Sequence, residues 1–90
     1  MEINILEEKN NKIKFEIRGE DHTFCNILRE ELWNNKEVEV SGYNIDHPLV
    51  SSPVIIVETK KENPRKSLIK ATENLRKKFQ ELESKFKNLK

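Results

Sequence analysis

Hydrophobic and polar residues alternate along two neighbouring segments near the N-terminus. A first strand is predicted over Glu2 to Leu6, and Asn10-Asn11 marks a turn because asparagine tolerates left-handed backbone geometry. From Lys12 to Arg18 the alternation is strict, with apolar side chains on one face and charged side chains on the other. Such alternation is typical of a half-buried antiparallel strand with one face in water. The two segments therefore predict a β-hairpin.

The spacing of apolar residues changes from that of a strand to that of a helix after the hairpin. Apolar residues recur at helical spacing from Phe24 to Leu32, over about ten residues. Asp21 or Thr23 can cap the start of this helix by accepting a hydrogen bond from a free backbone N–H. Asn34-Asn35 then ends it. These features predict a first helix directly after the hairpin.

Two more strands are predicted in the middle of the chain. Glu37 to Tyr43 alternates again, with Val38 and Val40 on one face. A connection follows, containing Asp46 to Leu49. Val54 to Val57 is apolar on both faces, and a strand of this kind is usually covered from both sides. We therefore expect it to be buried by its own helices on one face and by something else on the other.

The last part of the chain predicts one long helix over residues 64–90. Asn63 is a favourable N-cap and Pro64 is favoured at the first helical position. Leucine recurs at every seventh position, and larger or β-branched residues stand between the leucines. The apolar positions therefore alternate in steps of four and three over about three heptads. They are Leu68, Thr72, Leu75, Phe79, Leu82, Phe86 and Leu89.

This helix is too long for the domain that carries it. At 1.5 Å per residue, residues 64–90 span about 40 Å, whereas a domain of this length has a diameter near 30 Å. We expect the first half, where Ile69 and Ala71 widen the apolar stripe, to pack on the sheet. We expect the second half to overhang as an exposed apolar strip, and such strips usually mark interfaces.

The order of elements defines the expected fold class. Two strands, a helix, two strands and a helix predict a two-layer α+β fold, β-β-α-β-β-α, with a four-stranded antiparallel sheet and both helices on one face. A length of 90 residues predicts one domain over 1–90. Charged residues, at 37%, outnumber hydrophobic residues, at 34%, so the core is expected to be thin.

The composition of the chain also indicates in which cellular compartment the protein works and how it meets a partner. No apolar run approaches the roughly 20 residues of a membrane span, and no signal-peptide pattern is visible. A single cysteine fits a reducing compartment, which predicts a cytoplasmic protein. Residues 1–63 carry 8 basic and 13 acidic residues, whereas residues 64–90 carry 9 basic and 3 acidic. A chain polarised in this way often meets a partner through its charged end.

Catalytic and metal-binding patterns are weak. A zinc site needs about four well-spaced ligands, and the chain offers only His22, Cys25 and His47, with Asp46 as a possible fourth. His22 and Cys25 could form a nucleophile pair, but no glycine-rich oxyanion loop or orienting third group accompanies them. A capping histidine and a packed cysteine are favoured instead. We predict no catalytic residue, metal or cofactor in this chain.

The basic last helix raises nucleic-acid binding as an alternative function. Lysine and arginine can neutralise phosphates. However, Glu73, Glu81 and Glu83 each have a lysine four residues on, an arrangement that stabilises a solvated helix. Both aromatic residues of the helix lie in the apolar strip, whereas base stacking needs them on the basic face. A membrane-surface helix ranks lower still, because Trp33 lies in the other helix.

Three groups of residues stand at spacings that match a known family. The first comprises Gly19 to Thr23, Asn26, Leu28-Arg29 and Leu32. The second comprises Tyr43 and His47-Pro48-Leu49, and the third comprises Lys70-Ala71, Glu73-Asn74 and Leu75. Together they cover most of the chain, and they resemble the small α-like subunits of cellular RNA polymerases.

The resemblance implies a β-β-α-β-β-α dimerisation fold and a role in assembly. It implies heterodimerisation with the larger α-like subunit of archaeal polymerases, which we call the D-type subunit, to form a platform for the large subunits. Catalysis and the catalytic magnesium then belong to the large subunits, so the chain acts in a nucleotidyltransferase only as part of the complex. No direct contact with nucleic acid or membrane is expected.

The resemblance also implies which residues meet partners. The helix carrying Asn26 and Arg29 is expected at the dimer and large-subunit contacts, and the last helix is expected to pack along its counterpart in the D-type subunit. Where the family commonly has Leu-Gly, this chain has Phe24-Cys25, which alters the close backbone approach that glycine permits. The predicted partner interface comprises Phe24, Cys25, Asn26, Leu28, Arg29, Leu32, Leu75, Phe79, Leu82, Phe86 and Leu89.

Overall fold

The secondary structure follows the predicted order of elements. The computed structural model describes residues 1–19, 22–44 and 52–89. Its elements are β1 (Glu2–Lys9), β2 (Lys12–Arg18), α1 (His22–Trp33), β3 (Val38–Asn44), β4 (Val54–Thr59) and α2 (Pro64–Lys87). The strands form one antiparallel sheet in the order β1-β2-β4-β3. The predicted α+β class, the four-stranded antiparallel sheet and the long C-terminal helix are therefore confirmed.

The hairpin of β1 and β2 turns at the predicted asparagine pair. Ile3 lies opposite Ile17 and Ile5 lies opposite Phe15, so both strands present apolar side chains to the helix side of the sheet. The register shifts between Ile5 and Glu7, which marks a β-bulge. Beyond that bulge β1 continues to Lys9, three residues further than the alternation predicts.

The central strand β4 joins the hairpin to β3. Ile55 and Val57 are fully buried under the helices, whereas Val54 and Ile56 are only half-buried on the opposite face. Burial by the helices is thus confirmed, and cover on the second face stays a prediction about a partner. The predicted connection over Asp46 to Leu49 lies outside the described residues.

A second irregularity changes which side of β3 is buried. The prediction that Val38 and Val40 share a face is wrong, because the register between β3 and β4 shifts between these two residues. The shift leaves Val38 in the core and Val40 exposed, and it turns Ser41 inward. The Ser41 hydroxyl then donates to the backbone carbonyl of Arg29 at 3.2 Å, which ties β3 to α1.

Helix α1 lies on the sheet through three apolar side chains. Cys25, Leu28 and Leu32 are all buried in the core beside Ile55 and Val57. The helix ends at Trp33, as the asparagine pair after it predicts. Thr23 cannot be its cap, because the helix already begins at His22; the other predicted cap, Asp21, lies outside the described residues.

Helix α2 begins at the predicted cap. The Asn63 side chain accepts a hydrogen bond from the Arg65 backbone N–H at 2.9 Å. The helix packs on the sheet through a narrow line of three buried residues, Pro64, Ser67 and Ala71. The expectation that Ile69 packs on the sheet is wrong: it lies about 200° around the helix from Ser67 and is exposed.

The molecule is elongated because α2 extends past the sheet. The principal extents are 48 × 36 × 17 Å and the radius of gyration is 14.6 Å, against about 12 Å for a compact domain of this length. From Arg76 to Leu89 every residue is exposed. The predicted overhang of the second half of the last helix is therefore confirmed.

Candidate protein–protein interface

An apolar groove lies between β1 and the two helices. The helices pack mainly on β2, β3 and β4, so the inward face of β1 is left partly open. Ile3 and Ile5 are 57% and 40% exposed on this face. We call the feature the β1 groove. It has a volume of about 300 Å³, and its apolar lining includes Met1, Ile3, Ile5, Phe15, Phe24, Leu28, Leu68 and Ile69.

A second apolar surface runs along the overhanging half of α2. Four large side chains form what we call the α2 seam: Phe79, Leu82 and Phe86 on the helix, and Leu89 just beyond it, because α2 ends at Lys87 and not at the predicted residue 90. Their exposed fractions run from 49% at Leu82 to 70% at Leu89. Large apolar side chains at regular spacing on one helix face are typical of a surface that packs against another helix.

The two apolar surfaces are continuous along α2. Leu68 and Thr72 line the β1 groove and also begin the alternation of four and three residues that leads to the seam. Leu75 lies between the two surfaces and is half-buried against the core. One apolar strip therefore extends from β1 to α2 and along that helix from Leu68 to Phe86.

A buried carboxylate fixes the point where α2 leaves the body. Glu31 of α1 is only 6% exposed. Its carboxylate accepts hydrogen bonds from Lys78 and from the Asn34 side-chain amide at 3.3 Å. The lysine hydrogen bond is the main reason that the pKa of Glu31 lies below its usual value. This pair holds α2 against α1 directly before the seam begins.

A second carboxylate holds the start of α2. Glu62 accepts hydrogen bonds from Lys70, from the Ser67 hydroxyl at 2.8 Å and from the Asn35 amide at 3.2 Å. These donors, with Lys70 first, lower the pKa of Glu62 to about 2. A cavity of about 160 Å³ lies where α1 and α2 meet, and Glu31, Asn35 and Ser67 are among the residues that line it. The direction of α2 is thus fixed by charge-assisted hydrogen bonds at two points.

The predicted interface residues fall into three environments. Cys25, Leu28 and Leu32 hold α1 on the chain's own sheet, and a contact of these side chains with a partner stays a prediction. Phe24, Asn26, Arg29 and Leu75 are half-buried, and Phe24 joins Leu28 in the β1 groove. The exposed members are Phe79, Leu82, Phe86 and Leu89.

Sequence reasoning misses the β1 groove. Ile3, Ile5 and Ile69 are not among the predicted interface residues, yet they form its exposed rim. A signal is present in the sequence: Ile3 and Ile5 alternate with polar residues as in a half-buried strand, and only two helices are available to cover four strands. An edge strand with an apolar inner face therefore has to remain partly uncovered.

The zinc ligands and the membrane helix considered in the sequence analysis can be examined only in the described residues. Among residues 1–19, 22–44 and 52–89, no three histidine, cysteine or acidic residues are placed to hold a metal ion. Two of the four candidate zinc ligands, Asp46 and His47, lie outside those residues. In the same described part of the chain, neither helix is long and apolar enough to cross a membrane.

The charge pairs predicted along α2 are only partly present. Of the three glutamate–lysine pairs, Glu83 and Lys87 form one with 3.3 Å between their charged atoms. In the described part of the helix, Glu73 and Glu81 form no ion pair with the lysines that follow them. The side chains are exposed, and exposed pairs contribute little to stability, so solvation competes with them effectively.

Comparison with known proteins assigns this chain to a family. The family described as "RNA polymerase Rpb3/Rpb11 dimerisation domain" matches residues 12–85. The chain therefore belongs to that family of dimerisation domains.

Similar proteins share most of the length of the chain. A DNA-directed RNA polymerase subunit Rpo11 from Korarchaeum cryptofilum is 40% identical over 81 residues, which cover 89% of this chain and 83% of that protein. The Rpo11 of Methanothermobacter thermautotrophicus is 38% identical over 72 residues, covering 80% and 82%. The crystal structure of RNA polymerase subunit L from Thermoplasma acidophilum matches with a TM-score of 0.87 at 27% identity, covering 96% of this chain and 85% of that one.

Proposed function

We propose that this protein is a non-catalytic assembly subunit of a DNA-directed RNA polymerase, equivalent to archaeal subunit L. In this proposal residues 1–90 form one dimerisation domain that works in the cytoplasm and pairs with the larger, D-type α-like subunit. The observation that carries the proposal is the continuous apolar strip formed by the β1 groove and the α2 seam. Family membership supports the same conclusion.

The α2 seam is difficult to explain without a partner. A helix gains most of its stability from packing an apolar face against other elements. The overhanging half of α2 has no such packing within the described chain. Yet it carries Phe79, Leu82 and Phe86 at the spacing that a facing helix needs, and Leu89 follows just beyond its end. A helix of the D-type subunit that packs along the seam removes this apolar surface from water, which stabilises both chains.

The β1 groove extends the proposed contact onto the body of the domain. Stable protein interfaces bury about 800 Å² on each partner, which is more than one short helix stripe supplies. The exposed side chains of Ile3, Ile5 and Ile69 add apolar area directly beside the first turns of α2. We therefore place apolar side chains of the D-type subunit in this groove and its helix along the seam.

A separate surface on α1 is proposed to meet the large subunits. Arg29 and Asn26 are half-buried on α1, and the Ser41 hydroxyl holds the Arg29 backbone carbonyl. Loss of an arginine that is buried in an interface leaves its partner unpaired and costs about 2–5 kcal/mol. We expect Arg29→Ala to leave the heterodimer intact and to impair joining of the large subunits in reconstitution. Loss of the heterodimer itself would place Arg29 at the interface with the D-type subunit. Normal assembly would show that Arg29 contributes to neither the heterodimer nor the contact with the large subunits.

Co-expression with the D-type subunit of the same organism tests the proposal directly. Size-exclusion chromatography with light scattering should show a stable 1:1 species, and tagged protein should recover a multi-subunit polymerase from cells. The alternative, a free-standing nucleic-acid-binding module that uses the basic helix, predicts recovery of nucleic acid without polymerase subunits. A stable monomer that does not bind the D-type subunit would contradict the proposal.

A further inference from the structure

The charges beside the α2 seam are unevenly distributed. In an apolar pattern of four and three residues, the positions next to the stripe face the flanks of a packed partner helix. On α2 these positions are 76 and 83 on one side and 78 and 85 on the other. They hold Arg76, Glu83, Lys78 and Lys85, so three of the four are basic.

Ion pairs within the chain cancel part of this charge and leave two cations. Glu83, the one acidic flanking residue, pairs with Lys87 at 3.3 Å. Lys78 pairs with buried Glu31. In the described part of the chain, neither Arg76 nor Lys85 forms an ion pair, and both are exposed. The net charge beside the exposed seam is therefore positive.

The body of the domain is electrostatically different. Glu7 lies beside Lys9 and Lys12, Glu16 beside Arg18, and Glu8 beside Arg65 at the edge of the β1 groove. Of the acidic residues on β1 and β2, Glu7, Glu8 and Glu16 are thus paired within the chain, whereas residues 1–63 as a whole are acidic. A second copy of this chain would set its own mainly basic seam flanks against Arg76 and Lys85, so repulsion between like charges disfavours packing of two α2 seams against each other.

We propose that the segment of the D-type subunit that covers the α2 seam is a helix with acidic residues flanking its own apolar stripe, facing Arg76 and Lys85. The inference rests on the proposed pairing and adds the charge of the partner surface. Complementary charges at the rim of an apolar contact speed association and select the correct partner. The apolar seam supplies affinity, and the cationic flanks set orientation and discrimination.

A charge-reversal experiment on the full-length chain tests this. The probe is the purified D-type subunit, and association is measured at about 0.05 M and about 0.5 M salt, because salt screens exposed charges. We expect Arg76→Glu with Lys85→Glu to slow association at least tenfold at low salt and much less at high salt. The matched control, Lys66→Glu with Lys77→Glu, changes net charge equally but lies off the seam, and it should have an effect of less than about threefold.

Each other outcome overturns the inference. Equal effects of the two double variants would mean that the D-type subunit is attracted by the overall positive charge of α2 and not by acidic residues that flank its own apolar stripe. No effect of the seam variant, with wild-type pairing intact, would refute the charged flanks while the proposed function stands. Low-salt dimers of the chain alone that the seam variant dissociates would assign the flanks to a second copy. Failure of the wild-type chain to pair with the D-type subunit at either salt would instead refute the proposed function.

Discussion

The two halves of α2 share one apolar pattern but lie in opposite environments. In the first half the buried residues are small or compact, Pro64, Ser67 and Ala71, and they let the helix lie close to the sheet. In the second half the residues on the continuing stripe are large, and they are exposed. The comparison shows that the two halves of this helix have different roles, and that the size of their side chains differs accordingly. Buried small residues, with Leu68 and Leu75 packed beside them, hold the first half on the fold, whereas the large residues of the second half are available to a partner.

The polar contacts of the helix divide in the same way. Up to Lys78 the helix is held by hydrogen bonds to Glu62, which lies in the connection before α2, and to Glu31 of α1. After Lys78, the one ion pair of the described helix is Glu83–Lys87, which is local and exposed. Stability of the isolated chain should therefore depend on the first half, and pairing should depend on the second.

The largest expected effect on folding comes from the core. Leu32→Ala removes a fully buried side chain between α1 and the sheet and should lower the free energy of unfolding by about 2–5 kcal/mol. Leu82→Ala is the matched control, since the same atoms are removed from the exposed seam, and it should change stability by less than about 0.5 kcal/mol. Urea denaturation measures both. Equal losses would show that the seam is packed in the free chain.

The junction between the two halves should have an intermediate effect. Lys78→Ala leaves buried Glu31 without its charged donor and should cost about 1–3 kcal/mol of unfolding free energy. Lys77→Ala, its exposed neighbour, is the control and should be nearly neutral. If both variants unfold at the same denaturant concentration as the wild type, α2 is not held at this point.

A pH-dependent effect is expected at Glu62. Its pKa is about 2 in the folded protein, below the ordinary value of 4.5, so the native state favours the ionised form. This contribution is fully present above about pH 4.5 and is lost as the pH falls toward 2. Glu62→Gln should therefore be less stable than the wild type at pH 7, and the difference should shrink toward pH 2. Thermal unfolding across this range checks the prediction, and a difference that does not vary with pH would contradict it.

The elements are more predictable from the sequence than the surfaces between them. Strict alternation defines β2, the Asn63-Pro64 pair defines the start of α2, and helix length alone predicts the overhang. These features depend on local chemistry or on dimensions. The bulge that separates Val38 from Val40 depends on cross-strand register, which no local pattern encodes.

One part of the candidate interface can likewise be predicted from the sequence, and the other part cannot. The α2 seam is predictable because its residues repeat along one helix face. The β1 groove is not, because its existence depends on where α2 sits on the sheet. That position is set by Ser67 and Ala71, and the predicted apolar stripe includes Ala71 but not the buried serine. The apolar pattern alone consequently places Ile69 on the wrong side of the helix.

The central claim is that the exposed seam serves pairing and not folding, and one double variant tests it most directly. Phe79→Ser with Phe86→Ser should leave the melting temperature of the isolated chain within a few degrees of the wild type. The same variant should weaken binding to the D-type subunit at least about 1000-fold, because each buried aromatic anchor contributes about 2 kcal/mol or more. Calorimetric unfolding and a binding titration on the same preparations give both values. Loss of folding with retained binding would contradict the account.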